Sequence, residues 1–419
     1  MAPPTGEKDI DRASILAALD EVEPGGTVQF AAGRYLVGDV IRIPTPRLTL
    51  LGHPDGTTLR GCTPDEFERS ERDMAAAATA EDAMAANAAW IRCGLLELTG
   101  GQVNVRGLTF ELSRLGLLLG CCHLDRRFET STGGYLVEGN TFRNSHNGIR
   151  PWTTEPSTIR GNRFVNTFHA ISGAGSHLHV LDNDISAPEP GRVPGVGHVS
   201  FAVAMSSIRA RTAETIGLDD NGVGVVIAGN RIEGHPDGIF LTALPGTSFR
   251  SSKIRDNTIR VEWVPIPPSG VRPYIVDVTD QSDSTIVGIP LSLYPRSVPG
   301  AADDGTEEGR FQDNLIAGNR LIGADGVAIA IRRGSGNRID GNTITRVERR
   351  EPFPGNTVLS SSEAWQGANG SAIWLSPGSD GNDIVGNTFE DVAAAAVVLE
   401  GDNNQVEVAS PDDEVRDLG

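Results

Sequence analysis

Short alternations of apolar and polar residues recur along the chain around an asparagine that follows Gly or Asp. These asparagines are Asn140, Asn162, Asn183, Asn230, Asn257, Asn319, Asn342 and Asn387. An apolar residue stands three positions before the asparagine and another two positions after it, as Val137 and Phe142 do around Asn140. Because residues two apart share one face of a strand, the pattern predicts two short strands that meet at an asparagine corner. Asparagine tolerates the left-handed backbone of a corner, and stacked amides can bond from coil to coil.

The spacing of these corners sets the length of the repeating unit. Asn140, Asn162 and Asn183 are separated by 22 and 21 residues, and the wider gaps elsewhere predict insertions. A third apolar segment, which we call the first strand, follows each corner. The first-strand segments are 147–152, 168–173, 201–207, 237–242, 274–280, 326–331 and 371–376. Three strands in about 22 residues predict an all-β fold, a right-handed parallel β-helix wound as a solenoid.

The N-terminal segments carry a family resemblance. Residues 15–37, ILAALDEVEPGGTVQFAAGRYLV, and residues 40–61, VIRIPTPRLTLLGHPDGTTLRG, resemble the opening of the pectate-lyase-like right-handed parallel β-helix superfamily. Together with the repeats, the resemblance covers roughly residues 10–408. It implies one β-helix domain over 1–419 with an N-terminal capping helix at about 8–22. It also implies a substrate cleft along the first strand, in a polysaccharide lyase, an inverting glycoside hydrolase or a uronate epimerase.

The insertions all border the first strand. They are a helical insertion at about 65–89 and loops at 121–134, 187–200, 208–222, 281–309 and 349–370. Corners at the asparagines carry no long insertion. Because long loops in a compact unit are usually functional, this one-sided arrangement predicts a walled groove along the first strand.

Alternation also predicts which side chains line that groove. We expect a column of histidines from consecutive coils, with aromatic, cationic and acidic side chains beside it. The candidate catalytic residues are His169, His198, His235, Asp237 and Asp277. The candidate substrate-binding residues are His146, Arg150, Trp152, Phe240, Arg332 and Trp374. Aromatic faces stack on sugar rings, and arginine binds carboxylates in a bidentate manner.

This set of residues favours proton abstraction. A histidine titrates near neutral pH and accepts a proton, while an arginine stabilises the anion that develops. Hydrolysis needs two carboxylates, for which only Asp237 and Asp277 are candidates on this face. The motifs of the hydrolases and of the calcium-dependent lyases are missing. We therefore expect a lyase, epimerase or isomerase that acts on an anionic carbohydrate.

Composition and charge limit the partners. The net charge of -19 disfavours nucleic acid, because phosphate binding relies on a basic surface. The N-terminus lacks the apolar stretch of a signal peptide, and no segment suits a membrane span, so we expect a cytoplasmic protein. A mature secreted form would look the same. No cysteine or histidine spacing indicates a metal centre; calcium remains open without a ligand set, and we expect no other cofactor.

Two other functions fit the same residues. A cytoplasmic isomerase, cyclase or dehydratase of specialised metabolism would use the groove for a small molecule, with histidine and arginine in the same roles. A glycan-binding or structural solenoid would use it without catalysis. Fold alone does not decide among the three.

Overall fold

The computed structural model describes residues 1–69, 93–120, 133–153, 155–187, 201–206, 222–235, 237–243, 248–261, 291–295, 310–349 and 367–418. These residues fall into two compact units. One comprises Met1–Ala174 and residues 178–187, and the other comprises Gly175–His177 and the described residues from 201 to 418.

The chain begins with one helix and then forms short strands. The elements up to residue 186 are α1 (Lys8–Glu21), β1 (Thr27–Gln29), β2 (Gly33–Leu36), β3 (Ile41–Ile43), β4 (Thr49–Leu51), β5 (Thr57–Arg60), β6 (Leu96–Leu98), β7 (Asn104–Arg106), β8 (Leu108–Glu111), β9 (Leu115–Gly120), β10 (Leu136–Glu138), β11 (Thr141–Thr153), β12 (Ser157–Arg160), β13 (Arg163–Gly175), β14 (Leu178–Leu181) and β15 (Asp184–Ser186).

The strands of the second unit continue the same pattern. They are β16 (Phe201–Ser206), β17 (Val226–Ala228), β18 (Arg231–Glu233), β19 (Asp237–Ala243), β20 (Ser248–Arg250), β21 (Lys253–Arg255), β22 (Thr258–Arg260), β23 (Leu291–Pro295), β24 (Arg310–Gln312), β25 (Leu315–Ala317), β26 (Arg320–Asp325), β27 (Val327–Ile331), β28 (Gly334–Ser335), β29 (Arg338–Asp340), β30 (Thr343–Glu348), β31 (Ser371–Leu375), β32 (Asp383–Val392), β33 (Val397–Leu399), β34 (Gln405–Val408) and β35 (Val415–Asp417).

Successive coils pair in parallel, strand upon strand. In the first unit β10 pairs with β7 and β12, and in the second β27 pairs with β23 and β31. The fold is a right-handed parallel β-helix, as the repeat predicted. Alternation predicts six inward-pointing residues on the first strand, of which Ile149, Ile171, Ile239, Ile329 and Ile373 are fully buried. The side chain of the sixth, Phe201, lies outside the described part.

The predicted asparagine ladder is present in each unit. In the first unit the amide nitrogen of Asn140 donates to Asn162 Oδ1 at 3.1 Å, and that of Asn162 donates to Asn183 Oδ1 at 3.1 Å. In the second unit the same bonds join Asn230, Asn257, Asn319, Asn342 and Asn387 in order. Each corner therefore satisfies its buried amides through the next coil.

A second ladder was not predicted. Asn314 donates to Asn337 Oδ1 at 2.9 Å, Asn337 donates to Asn382, and Asn382 donates to Asn404. The first three of these residues, Asn314, Asn337 and Asn382, precede first-ladder asparagines by five positions. The short strands β25 and β29 therefore each lie between two asparagine corners. Another short sheet, formed by β20, β24 and β28, was not predicted either; within it the rings of Phe249 and Phe311 stack 5.9 Å apart.

The predicted capping helix is present as α1. Its buried residue Asp11 accepts hydrogen bonds from the backbone of Thr5 at 2.7 Å, Gly6 at 3.0 Å and Leu36 at 2.9 Å. Ile15 is fully buried. One carboxylate and one apolar side chain thus attach α1 to β2.

Candidate functional site

The first-strand face of the first unit is built by β9, β11 and β13. In register, Arg150 of β11 lies beside Leu118 of β9, and Trp152 lies beside Gly120. Ile149 points into the core and is fully buried. Alternation therefore turns Arg150 and Trp152 outward, where both are partly exposed. The Arg150 guanidinium carbon lies 5.7 Å from the centre of the Trp152 ring, within cation–π range.

His146 and His169 lie close together at the start of this face. Their ring centres are 5.5 Å apart with the planes nearly perpendicular, and both side chains are partly buried. They do not form the predicted column, because His146 instead lies against Phe168 with ring centres 4.8 Å apart. The asparagine corners of these coils are 22 residues apart, whereas the histidines are 23 apart. The pair is therefore one position out of register.

Asn147 contacts His146 from the same strand. Its side-chain nitrogen lies 2.9 Å from His146 Nδ1 and 3.4 Å from the carbonyl oxygen of Arg114, and the residue is buried. Asn147 thus links the histidine to the preceding coil.

Arg114 belongs to this site although sequence reasoning missed it. It precedes Leu115, which pairs with Asn147, so it lies one coil away from His146. Its side chain is fully buried, donates to the Phe67 carbonyl at 3.1 Å and lies 4.3 Å from the centre of the Phe67 ring. Burial lowers the pKa of Arg114 to about 9, so it stays cationic at neutral pH. Counting back one coil from His146 would have found it.

The surroundings of His146 keep it uncharged. Burial, followed by electrostatic interactions with His169, Arg114 and Arg150, lowers the pKa of His146 well below its usual value. The cluster of His146, His169, Arg114 and Arg150 therefore combines fixed cations with a neutral imidazole. Such a set suits an anionic ligand and the transfer of a proton.

Two cysteines lie beside this cluster. Cys62 and Cys93 are buried and do not form a disulfide. A hydrogen bond with Cys93 and then burial raise the pKa of Cys62, so the thiol stays protonated and is a poor nucleophile. Cys121 and Cys122 lie outside the described residues.

On the first-strand face of the second unit, apolar packing covers Trp374. Trp374 is only 1% exposed and packs with Val327, Ala330, Ala368, Ala395 and Val398, while Phe240 packs against this cluster. Its indole nitrogen donates to Glu400 Oε2 at 3.3 Å, and burial raises the pKa of that carboxyl. The expectation that Trp374 is open to a groove is therefore wrong, because the segment around Ala368 and the next coil cover it.

His235 also differs from expectation. It is fully buried rather than exposed on a turn, and burial lowers its pKa to about 3. Asp237 begins β19, where its backbone pairs with Phe201, and its side chain is outside the described part. Arg332 directly follows β27 and is partly buried.

The remaining predicted residues cannot be placed. His198 and Asp277 lie outside the described residues, as do most of the predicted loops and of the helical insertion, of which 64–69 is helical. Within the described ranges, no group of three or more His, Cys, Asp or Glu side chains is arranged to hold a metal ion. No helix in the described ranges has the length and apolar character that a membrane span requires.

Comparison with known proteins identifies the fold. No protein-family model matches the chain, and no curated protein matches it in sequence. Among solved structures, DFA-IIIase from Arthrobacter chlorophenolicus A6 in complex with GF2 aligns with a TM-score of 0.51 at 12% identity, over 97% of this chain and 90% of that one. A PL6 alginate lyase complex with trisaccharide aligns with a TM-score of 0.43 at 11% identity, over 98% and 88%. Pectate lyase Pel9A aligns with a TM-score of 0.38 at 12% identity, over 94% and 72%.

Proposed function

We propose that this protein is an enzyme that abstracts a proton from an anionic carbohydrate bound along the first strand, as a lyase, epimerase or isomerase. One observation carries the proposal: His146, His169, Arg114 and Arg150 lie together on one face in a chain whose net charge is -19. Cations gathered at one place on an acidic protein favour a negatively charged ligand over a neutral one.

The roles follow from the chemistry of each group. Arg150 is partly exposed beside Trp152, so its guanidinium binds a carboxylate while the indole stacks on a sugar ring. His169 is partly exposed and is the proton acceptor. Buried Arg114 contributes positive charge rather than direct contact. Phe240, Arg332, His198, Asp237 and Asp277 stay predictions for further contacts.

The names of the structural neighbours agree with a carbohydrate substrate. The neighbours include an alginate lyase and a pectate lyase, which supports testing uronate polymers first. A small-molecule isomerase, cyclase or dehydratase is the alternative if no polymer or oligosaccharide reacts, and a binding solenoid is the alternative if nothing reacts but glycans bind.

The test is an activity screen followed by one substitution. Uronate-containing and neutral oligosaccharides are incubated with the full chain, and products are followed by mass spectrometry and by the ultraviolet absorbance of an unsaturated sugar. We expect turnover only of uronates. His169→Ala should lower turnover by about a hundredfold or more, as loss of an acid–base group does.

His179→Ala is the matched control, because His179 is partly exposed on β14, away from the first strand. It should stay within about threefold of the unmodified enzyme, as expected for a group outside the chemistry. If the folded His169→Ala variant is as active as the unmodified enzyme, His169 has no part in the mechanism. Turnover of neutral sugars alone would contradict an anionic substrate.

A further inference from the structure

The side-chain amide of Asn147 is oriented by its two partners. Its nitrogen lies 3.4 Å from the Arg114 carbonyl oxygen and 2.9 Å from His146 Nδ1. A carbonyl oxygen only accepts hydrogen bonds, so the amide NH₂ and not the amide oxygen faces this corner. The NH₂ group has two hydrogens and no accepting lone pair. The nitrogen atom Nδ1 must therefore accept, which excludes a hydrogen there.

We propose that Asn147 holds His146 in the neutral tautomer that carries its hydrogen on Nε2, so that His146 donates a hydrogen bond while His169 accepts the proton. The inference rests on the proposed function for its catalytic part, whereas the tautomer stands on the contacts of Asn147 alone. It makes Asn147 a positioning residue and gives two neighbouring histidines separate roles.

The groups packed around His146 agree with a neutral ring. From the preceding coil comes Arg114, from its own strand comes Arg150, and from the next coil come Phe168 and His169. The guanidinium charges of Arg114 and Arg150 are positive and oppose a second proton on the ring. Burial acts in the same direction, and the pKa of His146 is lowered well below its usual value. A neutral imidazole carries one hydrogen on its nitrogens. Because Nδ1 accepts a hydrogen bond, that hydrogen is on Nε2.

This assignment gives each histidine one task. The substrate C–H bond next to the carboxylate breaks, its proton bonds to a ring nitrogen of His169, and its electron pair moves toward the carboxylate. The developing negative charge on the carboxylate oxygens accepts a hydrogen bond from a neutral imidazole, which does not give up its proton. His146 cannot serve as the base through Nε2, because that nitrogen already carries hydrogen.

The first experiment measures the tautomer without any substrate. Nitrogen-15 NMR of the histidine-labelled full chain, assigned by loss of a signal in His146→Phe, reports which ring nitrogen carries hydrogen. We expect His146 to keep an unprotonated Nδ1 and a protonated Nε2 from about pH 8 to about pH 5. Hydrogen on Nδ1, or a cationic ring at neutral pH, would overturn the inference whatever the enzyme does.

Two substitutions test the part played by Asn147. Asn147→Asp replaces the donor with an acceptor, so the hydrogen should move to Nδ1 or the ring should become cationic with a pKa raised by at least about one unit. Asn147→Leu removes the donor without adding charge, and both tautomers should then appear. Asn104→Asp, on β7 away from the first strand, is the control and should leave the His146 signals unchanged. Unchanged signals in both folded Asn147 variants would overturn the positioning role.

A second experiment tests the donor role on the substrate that the screen identifies. A hydrogen bond that strengthens in the transition state affects kcat more than KM. His146→Phe should therefore lower kcat at least about tenfold with KM nearly unchanged, and His146→Gln, which can still donate, should recover part of the loss. If His146→Phe keeps full kcat, the donor role fails. If no substrate reacts at all, the proposed function fails while the NMR result still decides the tautomer.

Discussion

At the scale of single residues, Asn162 shows why asparagine recurs at the corner. Its side-chain nitrogen donates to the Val137 carbonyl at 2.9 Å and to Asn183 Oδ1 at 3.1 Å. Its oxygen accepts from the backbone nitrogen of Asn140 at 3.0 Å and from the side chain of Asn140 at 3.1 Å. One side chain thus satisfies polar groups of the coils before and after its own, which neither aspartate nor leucine can do.

We predict that Asn162→Leu destabilises the first unit by about 3 kcal/mol, because buried donors and acceptors on both sides lose their partners. Urea unfolding with a first-unit probe measures the loss. Asn104→Leu is the control, since Asn104 is only partly buried and its side chain donates to Thr49 Oγ1 at a long 3.4 Å. It should cost less than about 0.5 kcal/mol. Equal losses in the two variants would contradict a special role for the ladder.

His235 should make stability depend on pH. Its pKa is about 3 in the folded protein because of burial, against 6.5 in the unfolded chain. Between these values the unfolded chain binds a proton that the folded protein does not, so stability falls as pH falls below 6.5. Well below pH 6.5, the free energy of unfolding falls by about 1.4 kcal/mol for each pH unit, and this loss ends near pH 3.

His235→Leu tests this by removing the titrating group. Between pH 6.5 and pH 5, the unmodified protein should lose about 2 kcal/mol more than His235→Leu in urea unfolding. Each protein is compared with itself at two pH values, so a loss of stability that the substitution causes equally at both pH values cancels. Parallel pH profiles would show that His235 is protonated in the folded protein.

At the scale of elements, ion pairs between strands connect the coils of the first unit. Glu111 of β8 is 6% exposed. Its Oε2 accepts from Arg60 Nη2 at 2.7 Å, and its Oε1 lies 3.0 Å from Arg143 Nε. Arg34 adds a third guanidinium at 3.6 Å. Since three cations share one carboxylate, that carboxylate holds β5, β8 and β11 in register.

We predict that Glu111→Gln destabilises the first unit by about 1 to 3 kcal/mol, because it keeps the shape but leaves the guanidinium groups facing one another. High salt should reduce the loss by screening this repulsion. Glu138→Gln is the matched control: Glu138 also lies between two arginines, Arg106 and Arg160, but is more exposed. Its loss should stay below about 1 kcal/mol. If Glu138→Gln loses more stability than Glu111→Gln, burial of the carboxylate does not set the size of the loss.

At the scale of the whole molecule, the chain has two compact units and a net charge of -19. A solenoid coil contacts mainly its neighbours, so a local defect weakens nearby coils first. The positive charge gathered at Arg114, Arg150 and around Glu111 lies in the first unit. On a protein with a net charge of -19, a group of cations favours an anion near it.

Hydrogen exchange should show this locality. In Asn162→Leu, backbone amides of β10 and β12 should exchange at least about tenfold faster, whereas those of β25 and β29 should keep their rates. Exchange followed by mass spectrometry on the full chain makes the comparison in one sample. A uniform increase over both groups of strands would mean that the molecule opens as one cooperative unit.

The asparagine corners and inward-pointing residues could be predicted from the sequence because both depend on local chemistry. A residue such as Ile149 faces inward by alternation alone, and Asn162 suits a tight corner in any coil of this length. The offset between His146 and His169 was also present in the numbering, since 23 residues separate them and 22 separate Asn140 from Asn162. The assumption that all turns are equivalent left this one-residue offset out of the prediction.

Burial on the outer face was decided by tertiary structure. Alternation turns Trp374 outward, yet Ala368 and Val398 cover it. Arg114 faces outward by the same alternation, yet it is fully buried against Phe67, 47 residues earlier in the chain. Whether an outward side chain meets water depends on which distant segments pack over it, and no local pattern contains that information. The same long-range packing acts on His146, because Arg114, one of the cations that lower its pKa, comes from the preceding coil.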